Sequence, residues 1–557
     1  MPLNLPEPCA DEAACWTRAQ DLLARFGDPR ASAAELLCDR HDPCALAYRL
    51  IGDDLSARDL TYGELRAQSE KLAAGFAGAG VGPGDRVATL MGKSGELLVT
   101  LMAILRLGAV HVPLFTAFAP PAIALRLGAS RAKVVVCDAD QRAKLAPGGE
   151  MPVDPPWRIV TTGEAGEGDL YFDDLGAGGA AASPTVALGG DAPIIEIFTS
   201  GTTGTPKSVI VPLRAVASFQ AYGEFALGLT DDDVFWNAAD PGWAYGLYFG
   251  ILVTFSLGVR SVLHEGHFTP EATLAVLERE RVTNFAAAPT VYRVLRASGL
   301  APPRGLALRR ASSAGEPLTP EVNDWAREAL GVQVHDHYGQ TETGMLINNH
   351  HHPALQRPLR AGSMGHPMPG WTAAVLKADA DAPAEPDELG RLAMDLSASP
   401  LAWFDGYSGD PERTVGKFTS DRRWYVTGDL ARVDDDGYVV FASRDDDVII
   451  MAGYRIGPTE VESVLLTHPA VAECAAVAVP DEMRGEVLEA VVVLRPGHAA
   501  SDDLTAELQT RVKTGFAAHA YPRRVHYADS LPRTPSGKVQ RFLIRRRLRE
   551  AAIEPAP

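Results

Sequence analysis

The feature that most constrains this chain is a largely apolar run, Ile194–Phe198, that leads directly into the polar loop TSGTTGTPKS at Thr199–Ser208. Six of the ten loop residues carry a hydroxyl group, Gly201 and Gly204 let the backbone approach a ligand closely, and Lys207 adds a positive charge. A strand that opens into such a loop can hold phosphate oxygens with N–H groups, hydroxyls and one ammonium group. The sequence therefore predicts a phosphate-binding loop.

This loop is not a Walker A motif. That motif needs a glycine directly before the lysine, and Pro206 stands there in this chain. A flexible polar surface loop is the alternative interpretation of the ten residues, so further segments are needed to decide between the two.

Length and charge exclude several classes of protein. A chain of 557 residues is too long for one ordinary core, so two or more domains are expected. With 46% hydrophobic and 22% charged residues, the composition is typical of globular proteins. The formal net charge of −19 argues against a nucleic-acid partner, and it requires that anionic substrates be received at local positive sites.

The cysteines and the N-terminus indicate the compartment. The six cysteines include no CxxC pair, so neither a zinc site nor a disulfide framework is expected. The N-terminal residues MPLNLPEPCADE lack the basic region and apolar core of a secretory signal. The apolar stretch Leu98–Phe115 is interrupted by Arg106 and His111, which predicts buried core rather than stable membrane insertion. A cytoplasmic, reducing location is predicted.

Apolar strand-like runs alternate with helix-like segments over about the first 440 residues, which predicts α/β architecture. The expected helices are Leu60–Ala79, Val291–Ala297 and one that Thr319 caps, with Pro320 in its first position and Gly331 at its end. The expected strands are Val134–Cys137, Asn284–Ala288, Leu308–Ser313 and Val332–His335, with a hairpin over Arg432–Ser443 that turns at Asp436–Gly437. Gly176–Ser183 is expected to be a surface loop.

The pattern restarts at Arg444–Asp447, which predicts a domain boundary there. We assign residues 1–444 to a large N-terminal domain of several subdomains and residues 445–557 to a small α+β domain. The basic run Arg541–Arg549 is interpreted as a solvated terminal helix, with attraction of a polyanion as the alternative. The elements expected in the small domain are helices at Thr459–Thr467 and near Leu504–Lys513, and strands at Val471–Val479 and Val487–Leu494.

Three further segments turn the phosphate-binding loop into a specific hypothesis. They read SSAGEP at Ser312–Pro317, YGQTETG at Tyr338–Gly344 and YVTGDL at Tyr425–Leu430, and the first two are expected directly after strands. Folds of the α/β class bind ligands at the carboxyl ends of strands. Thr341 offers a hydroxyl group for phosphate, and Glu342 offers a carboxylate of the kind that Mg²⁺ takes together with phosphate oxygens and water.

Asp429 and Lys538 extend this hypothetical site. Asp429 can accept hydrogen bonds from a ribose diol. Lys538 lies in LPRTPSGKVQR, whose prolines and glycine predict a turn that presents it. Such a lysine is usually solvated, or alternatively it neutralises charge that develops on a phosphorus centre. Each residue taken singly is more often an ordinary loop residue, so the hypothesis depends on their co-occurrence.

With these motifs, the chain resembles the adenylate-forming (AMP-binding) superfamily, which includes acyl-CoA synthetases, firefly luciferase and peptide-synthetase adenylation domains. The likeness runs over nearly the whole length, from LTYGELRAQSEKLA at Leu60 to Lys538. TSGTTGTPKS, AGEP, YGQTETG, TGD, GYRIGPTEVE and PSGK occur in the family's order. WNAADPGW at Trp236–Trp243 and PDEMRGEV at Pro480–Val487 make the chain most similar to the acetyl- and medium-chain acyl-CoA synthetases.

The resemblance implies a two-step ligase reaction with ATP, Mg²⁺ and coenzyme A. A carboxylate attacks the α-phosphorus of ATP to give an acyl-adenylate and pyrophosphate, and the coenzyme A thiol then displaces AMP to give a thioester. The implied nucleotide-binding residues are Thr199, Ser200, Gly201, Thr202, Thr203, Gly204 and Lys207 at the β- and γ-phosphates, Gly315, Glu316, Pro317, Asp336 and Tyr338 around the adenine with Gln340 beside them, and Asp429 and Arg444 at the ribose. The implied catalytic residues are Thr341 at the α-phosphate, Glu342 as the Mg²⁺ ligand, Arg455 at the nucleotide and Lys538 in adenylation.

The second step implies a movement of the small domain. In the family this domain rotates between the two steps, so that the lysine matching Lys538 leaves and the segment matching Gly453 arrives. Asp446 matches the hinge position, and a side chain at Gly453 would obstruct the path of the pantetheine. The implied coenzyme A residues are Gly453, Tyr454, Arg484, Tyr521, Pro522 and Arg523.

The acyl pocket differs from that of acetate-specific relatives. Those relatives carry a tryptophan where this chain has Gly339 and a larger branched residue where it has Ala244. A longer acid then gains about 0.8 kcal/mol per buried methylene, and about 1.4 kcal/mol suffices for tenfold discrimination. We therefore predict a medium-chain, branched or aromatic acid, with acetate or propionate as the alternative because Tyr245 and Tyr248 can refill the pocket. The predicted acyl-pocket residues are Trp243, Ala244, Tyr245, Ala314 and Gly339.

Several other motifs carry less weight. His335 and His337 form H-x-H and His350–His352 are consecutive, but metal binding is not expected because the triplet is assigned to a polar loop. HEGH at His264–His267 lacks the HExxH spacing of zinc proteases, and no GxSxG motif of serine hydrolases occurs.

The resemblance also implies partners. Bacterial relatives with the pattern P-x4-G-K, present here from Pro532, are switched off by acetylation of the lysine, so a lysine acetyltransferase and a deacetylase acting on Lys538 are expected. The substrate partner is a small-molecule carboxylic acid, and a homo-oligomer is compatible with the sequence. Two alternative functions are a ligase that loads a carrier-protein thiol and an inactive sensor of acyl groups or nucleotides, against which Glu342 and Lys538 argue.

Overall fold

The computed structural model describes residues 8–177, 185–199, 206–316, 318–447, 449–451, 454–481, 485–516, 520–533 and 538–553. The chain forms two compact units. The first unit comprises the described residues up to Thr372 together with Asp395–Gly416. The second comprises Ala373–Met394 and the described residues from Lys417 onward.

The first unit contains a sheet whose central strands are parallel. Polar residues at the carboxyl ends of these strands therefore meet at one edge. From one side to the other the strands are Ser363–Pro367, Gly344–Asn348, Val334–Gln340, Arg310–Ala314, Asn284–Ala287, Phe235–Asn237, Ser261–His264, Leu46–Ile51 and Ala57–Thr61. The first two of these and the last pair antiparallel with their neighbours, and the others are parallel.

A second sheet of the same unit carries the predicted phosphate-binding loop. Its strands in spatial order are Leu170–Tyr171, Arg158–Thr161, Val134–Cys137, Arg86–Leu90, Val110–Pro113, Pro193–Thr199 and Lys207–Pro212. The last two are antiparallel, with Thr199 opposite Lys207, so the loop connects the two strands of a hairpin. The predicted strand before the loop is confirmed.

Helices cover these sheets, and their ends follow local capping chemistry. In Tyr62–Gly78 the Thr61 hydroxyl accepts from the Glu64 N–H group while the Glu64 carboxylate accepts from the Thr61 N–H group. The helices of the first unit are Glu12–Phe26, Glu35–Asp39, Tyr62–Gly78, Gly95–Arg106, Pro120–Ser130, Ala139–Leu145, Phe172–Ala177, Ala215–Ala221, Tyr222–Ala226, Tyr245–Leu252, Val253–Leu257, Pro270–Arg279, Pro289–Ala297, Pro320–Ala329, Leu396–Ala398 and Pro411–Val415.

The apolar stretch Leu98–Phe115 is confirmed as buried core. It forms most of the helix Gly95–Arg106 and the strand Val110–Pro113. Arg106 is completely buried, and its charge is compensated by hydrogen bonds. Asp39 accepts two of them, at 2.7 and 2.8 Å, and the Thr185 hydroxyl accepts another at 2.7 Å. Among the described residues, no helix is both long and apolar enough to cross a membrane.

The second unit contains two sheets. One is antiparallel in the order Ala373–Leu376, Gly390–Asp395, Trp424–Val433 and Val439–Arg444, and it includes the predicted hairpin at Asp436–Gly437. The other has the order Tyr454–Ile456, Ile449–Met451, Gly485–Leu494 and Val471–Asp481, with Arg524–Tyr527 parallel to Gly485–Leu494. The helices are Asp445–Asp447, Pro458–Leu466, Asp502–Gly515 and Arg541–Ile553. The predicted boundary between residues 444 and 445 falls between the two sheets and stays a prediction.

Two predicted local structures are wrong. The strand Val334–Gln340 begins two residues late and runs on through Tyr338, which pairs with Ile347, so YGQ lies within a strand rather than after it. Ser312 to Ala314 likewise belong to the strand Arg310–Ala314. Cross-strand pairing extends these strands through small and polar residues, which the apolar pattern alone does not mark.

The terminal helix Arg541–Ile553 is not simply solvated. Arg541 donates to both carboxylate oxygens of Glu462, at 2.9 and 2.7 Å, and Arg545 pairs with Asp447 at 2.8 Å. Both arginine side chains are 19% exposed. Two of the five arginines of the basic run therefore hold the helix against the short Asp445–Asp447 helix and the helix Pro458–Leu466.

Candidate active site

Glu342 is held in place within the predicted site by burial and by a hydrogen bond. Its side chain is buried, and its Oε1 atom accepts a hydrogen bond from the Tyr407 hydroxyl at 2.7 Å. The Lys207 ammonium lies 4.9 Å from the centre of the Tyr407 ring. Tyr407 in turn pairs with Val209 of the strand that follows the phosphate-binding loop. The fold thus brings the lysine of the loop and the carboxylate predicted for Mg²⁺ to the same tyrosine, the lysine over its ring and the carboxylate at its hydroxyl.

A tight turn between two strands presents Thr341 and Glu342. Gln340 pairs with Gly344 across the turn, and the Thr343 hydroxyl accepts from the Gln340 N–H group at 3.3 Å. Gly344 has a φ of 73°, a conformation that favours glycine. The Tyr248 hydroxyl donates to the Thr341 carbonyl at 3.4 Å. Position and direction of both side chains are therefore fixed by backbone pairing.

Polar partners surround the residues predicted for the adenine. The Thr290 hydroxyl donates to Glu316 at 3.1 Å, and Arg293 donates both to Glu316 and, at 2.7 Å, to the Thr290 hydroxyl. Burial raises the pKa of the Asp336 carboxyl to about 8, even though the N–H groups of Leu318 and His337 lower it. At neutral pH Asp336 is therefore mainly protonated and can donate a hydrogen bond.

The consecutive histidines lie in a loop after the strand Gly344–Asn348, as the sequence suggested, but the loop is buried rather than exposed. His350, His351 and His352 are 5%, 9% and 5% exposed. The ring of His351 stacks on that of His335 with centroids 3.6 Å apart. Burial lowers the pKa of His335 to about 4 and that of His350 to about 3, so these rings are neutral. The histidines form a packed layer beneath the strand that carries Asp336.

His337 has a defined tautomer. Its Nδ1 atom lies 2.8 Å from the Tyr222 hydroxyl, and its Nε2 atom lies 3.1 Å from the Asn349 carbonyl oxygen. The carbonyl can only accept, so Nε2 carries the proton and Nδ1 accepts from Tyr222. Burial lowers the pKa of His337 well below its ordinary value.

In the second unit, the predicted ribose residues face each other. Asp429 and Arg444 are opposite residues of one hairpin, and Asp429 Oδ1 lies 3.3 Å from Arg444 Nη1. The Asp429 N–H group donates to the Thr427 hydroxyl at 3.0 Å, and the Lys417 ammonium donates to the Thr427 carbonyl at 2.7 Å. A buried carboxylate and two cations are thus clustered at this hairpin.

The residues predicted for coenzyme A are only partly described. Tyr521 lies between two cations, 4.0 Å from the Lys513 ammonium and 3.9 Å from the Arg523 guanidinium. Gln509 donates to the Pro522 carbonyl at 3.0 Å and fixes this segment. The predicted residues Ser200, Gly201, Thr202, Thr203, Gly204, Pro317, Gly453 and Arg484 lie outside the described residues, as do the side chains of Asp446, Tyr454 and Arg455.

Lys538 is exposed at the end of the predicted turn. Arg533 pairs with Val539 across this turn, and the Gln540 N–H group donates to the Pro532 carbonyl at 2.8 Å. Residues 534–537 lie outside the described part of the chain. The chain reversal predicted from the proline and glycine residues is confirmed.

The predicted acyl-pocket residues differ in what surrounds them. The Trp243 ring packs between Phe115 and Phe118, at centroid distances of 5.3 and 5.5 Å. Ala314 is 2% exposed, Ala244 precedes the helix Tyr245–Leu252, and Tyr245 contacts Phe249 at 5.7 Å. Tyr248 is buried and stacks on Phe219 at 4.4 Å.

At Gly339 the reasoning from pocket volume is wrong. A Cβ atom there would lie 2.0 Å from the Gly344 carbonyl oxygen and 2.6 Å from the Met345 Cα atom. The missing side chain therefore permits the close approach of the neighbouring strand instead of enlarging a pocket. A tryptophan at this position would require a different backbone.

Three residues that the sequence did not single out belong to these clusters: Tyr407, Arg293 and Lys417. They approach Glu342, Glu316 and the Asp429 hairpin respectively. Each is distant in sequence from its partner, or lies outside a recognisable motif. Only the folded chain identifies them.

Comparison with known proteins agrees with this arrangement. Residues 41–398 match the family model for AMP-binding enzymes, and residues 460–538 match that for the AMP-binding enzyme C-terminal domain. Acetyl-coenzyme A synthetase of Bacillus subtilis (strain 168) is 33% identical over 545 residues, which cover 95% of this chain and 93% of the relative.

Two solved structures extend the comparison. The acyl-CoA synthetase of Brucella canis has a TM-score of 0.74 and 43% identity, and the match covers 96% of this chain and 97% of that one. A benzoate CoA ligase from Burkholderia xenovorans LB400 has a TM-score of 0.81 and 28% identity, with 92% and 100% covered. The predicted mixed α/β class, with a large N-terminal and a small C-terminal domain, is confirmed.

Proposed function

Because the chain belongs to the family of AMP-binding enzymes and is a ligase of the AMP-forming acyl-CoA synthetase type, we propose that the residues around Glu342 activate a carboxylic acid with ATP. The acid's carboxylate oxygen bonds to the α-phosphorus, and the bond to pyrophosphate breaks. The coenzyme A thiol then bonds to the acyl carbon, its proton is lost to solvent, and AMP leaves. The observation that carries the proposal is the approach of Glu342 and Lys207 to the same tyrosine.

Glu342 fits a divalent cation. Its carboxylate is 8% exposed, and Tyr407 occupies Oε1; within the described part of the chain, no donor reaches Oε2. A buried carboxylate with a free oxygen is the ligand type that Mg²⁺ takes together with phosphate oxygens. When bound there, Mg²⁺ neutralises charge on the phosphates. Thr341, presented by the same turn, is assigned to the α-phosphate.

The phosphate-binding loop is assigned to the outer phosphates. Thr199 and Lys207 flank it as paired residues of two antiparallel strands. N–H and hydroxyl groups are the donors such a loop offers to phosphate oxygens. Lys207 contributes the positive charge that a chain of net charge −19 must supply locally. The assignment of Thr199, Ser200, Gly201, Thr202, Thr203, Gly204 and Lys207 rests on this position and on the motif.

The adenosine is assigned to two clusters. Glu316, held by Arg293 and Thr290, and the mainly protonated Asp336 supply an acceptor and a donor for a base. Asp429 supplies a buried carboxylate for the ribose diol, with Arg444 beside it. Gly315, Pro317, Tyr338 and Gln340 complete the adenine side of this assignment.

Thioester formation is assigned to the second unit. The Tyr521–Arg523 segment gathers cations beside an aromatic ring, which suits the phosphates and base of coenzyme A. We propose that a domain of residues 445–557 rotates about Asp446, so that Lys538 and Arg455 serve adenylation, whereas Gly453 with Tyr454 and Arg484 serves thioester formation.

For the acid we propose a medium-chain, branched or aromatic substrate. Ala314 is buried, and both it and Ala244 have small side chains, which supports space for a longer acyl group. The rings of Trp243 and Phe115, which pack against each other, are assigned to the wall of this pocket. Gly339 does not add to this argument. The relatives include both an acetyl-coenzyme A synthetase and a benzoate CoA ligase. A kcat/KM for acetate equal to or above that for hexanoate and benzoate would favour the acetyl/propionyl alternative.

Regulation and location remain proposals. Lys538 is exposed, which supports access for a lysine acetyltransferase and removal by a deacetylase. Mass spectrometry of acetyltransferase-treated protein tests this, and an unmodified Lys538 would exclude it.

A cytoplasmic location and a homo-oligomer are also proposed. Cell fractionation tests the location, and light scattering on the purified protein tests the oligomeric state.

The function is tested by measuring AMP and acyl-CoA formation with a panel of acids, with and without coenzyme A. Glu342→Gln should lower acid-dependent AMP formation by about 100-fold or more, in the range seen when other charge-stabilising groups are removed. The matched control Glu328→Gln alters an exposed carboxylate of the same unit and should stay within about twofold of the native chain. Equal activity of the two variants would overturn the role of Glu342, and turnover with a carrier-protein thiol alone would favour the carrier-loading alternative.

A further inference from the structure

A cluster of soft metal ligands lies outside the proposed active site. Cys9, Cys15 and His352 each offer one ligand atom, and these atoms all lie within 4.8 Å of one another. The Cys15 Sγ atom is 4.0 Å from His352 Nδ1. Cys15 is completely buried, His352 is 5% exposed and Cys9 is half-buried. The three side chains come from the start of the chain and from the histidine triplet, 337 positions from Cys15 to His352.

The distances are close to those of a tetrahedral zinc site. Zinc–sulfur bonds of about 2.3 Å and zinc–nitrogen bonds of about 2.0 Å imply sulfur–sulfur separations of about 3.8 Å and sulfur–nitrogen separations of about 3.5 Å. The separations in the cluster are at most 4.8 Å, so they need to close by at most about 1.0 Å between the sulfurs and about 1.3 Å between sulfur and nitrogen. Side-chain rotation of the half-buried Cys9 can supply part of that shift.

The chemical state of His352 suits a ligand. The Ala354 N–H group donates to Nδ1 at 3.2 Å, which assigns the proton to Nε2 and the lone pair to the nitrogen that faces Cys15. That bond is long, and a metal at Nδ1 would replace it.

The charged residues around the cluster favour a bound cation. The carboxylates of Asp11 and Glu12 lie near Cys15. Their negative charge favours a metal ion, which displaces the thiol protons when it binds. Asp11 itself is occupied as a helix cap, since its Oδ1 atom accepts from the Ala14 N–H group at 2.8 Å.

The position of the cluster suggests what a metal would do. Cys9 and Cys15 flank the start of the helix Glu12–Phe26, which precedes the residues matched by the AMP-binding family model. His352 ends the buried triplet, whose His351 stacks beneath the strand of Asp336. The same helix is already held by Arg18, which donates to Glu224 at 2.8 and 2.9 Å. A metal bound to Cys15 and His352 would add a second attachment of this helix, next to the Arg18–Glu224 pair, and would link it to the buried histidines.

We propose that Cys9, Cys15 and His352 form a structural site for a soft divalent cation, Zn²⁺ in the simplest case, that fastens the N-terminal helix to the histidine layer. Three protein ligands leave the fourth position to water. Zinc is favoured because thiolate and imidazole ligands in tetrahedral geometry are its common set. The proposal runs against the expectation, drawn from the absence of a CxxC pair, that the chain has no zinc site, and the experiment below decides between the two.

The proposal is tested on the full chain purified under reducing conditions, stripped with a chelator and titrated with Co²⁺ or Zn²⁺ alone. Co²⁺ should bind with one equivalent and give a thiolate-to-metal charge-transfer band. Cys9→Ser and His352→Gln should each weaken binding by more than about 100-fold, since even groups outside the ligand set contribute 10–100-fold. The control Cys44→Ser removes an exposed thiol and should bind Co²⁺ like the native chain.

Thermal stability gives a second readout. Zn²⁺ should raise the midpoint of thermal unfolding of the native chain and of Cys44→Ser, but not that of Cys9→Ser. Because Cys9 is only half-buried, Cys9→Ser is expected to fold like the native chain. Absence of a charge-transfer band, a band that survives in Cys9→Ser, or a Cys9–Cys15 disulfide in the reduced preparation would each overturn the site. None of these outcomes bears on adenylation, so the proposed function is tested separately.

Discussion

Glu342 and Lys538, the two charged residues on which the proposed first step most depends, are held in opposite ways. Glu342 is buried in a tight turn between paired strands, with a hydrogen bond from Tyr407. Lys538 is exposed at the end of a turn. A preformed carboxylate suits a metal and phosphates that must be held throughout adenylation. An exposed lysine suits a charge that is needed in one step and dispensable in the next.

The largest effect is expected for Lys538→Ala. Adenylation should fall by about 100-fold or more, because the variant lacks a charge that stabilises the transition state. Thioester formation from supplied acyl-adenylate should survive, because the lysine is assigned to the first step alone. Single-turnover assays of the two half-reactions check this.

A matched control sharpens that result. Arg549→Ala removes another exposed cation of the second unit and should leave both half-reactions within about twofold of the native chain. If Lys538→Ala lowered the rates of both half-reactions equally, the assignment of Lys538 to adenylation alone would be wrong.

A smaller effect is expected for Tyr407→Phe. The variant loses the hydroxyl that donates to Glu342 at 2.7 Å and keeps the ring beside Lys207. A hydrogen bond to a charged group contributes about 1.5 kcal/mol or more, which corresponds to about tenfold. The Mg²⁺ concentration for half-maximal adenylation should shift by about that factor. An unchanged Mg²⁺ dependence would mean that Tyr407 does not position the carboxylate.

The layer beneath the site should be sensitive to acid. Burial lowers the pKa of His335 to about 4 from an ordinary value near 6.5, so the unfolded chain binds a proton that the folded chain does not. The free energy of unfolding should therefore fall as the pH drops, by about 1 kcal/mol between pH 6.5 and 5.5 for this residue alone. Denaturant unfolding at several pH values measures it, and His335→Asn should reduce the dependence.

A pH dependence of the opposite sign is expected from Asp336, which Asp336→Asn tests. The pKa of Asp336 is raised to about 8 by burial, so the folded chain keeps a proton that the unfolded chain loses above pH 4. Stability should therefore fall as the pH rises from about 4 to about 8, by less than about 1 kcal/mol per pH unit because the side chain is partly exposed. The asparagine variant should flatten this slope. An unchanged slope would show that Asp336 is ionised in the folded chain.

Where the sequence succeeded, the signal was local. The strand Val134–Cys137 has the predicted bounds, and the helix Tyr62–Gly78 lies within the predicted Leu60–Ala79, because apolar periodicity and capping residues act over a few positions. The motifs also predicted Glu342, which shares Tyr407 with Lys207 of the phosphate-binding hairpin.

Where the sequence failed, the cause was tertiary. The histidine triplet is polar by composition but buried, and its His351 stacks on His335. Gly339 is needed for strand contact, which no single sequence reveals. Cys9 and His352 are too far apart in the chain for any spacing rule to connect them. Tyr407 reaches Glu342 only through the pairing of its loop with Val209.

The most direct test of the central claim is the exchange of labelled pyrophosphate into ATP, measured with Mg²⁺ and without coenzyme A across short, long and aromatic acids. The account predicts exchange that requires both the acid and Mg²⁺, and that falls about 100-fold in Glu342→Gln. Absence of acid-dependent exchange with every acid, or exchange that is unaffected by Glu342→Gln, would contradict it.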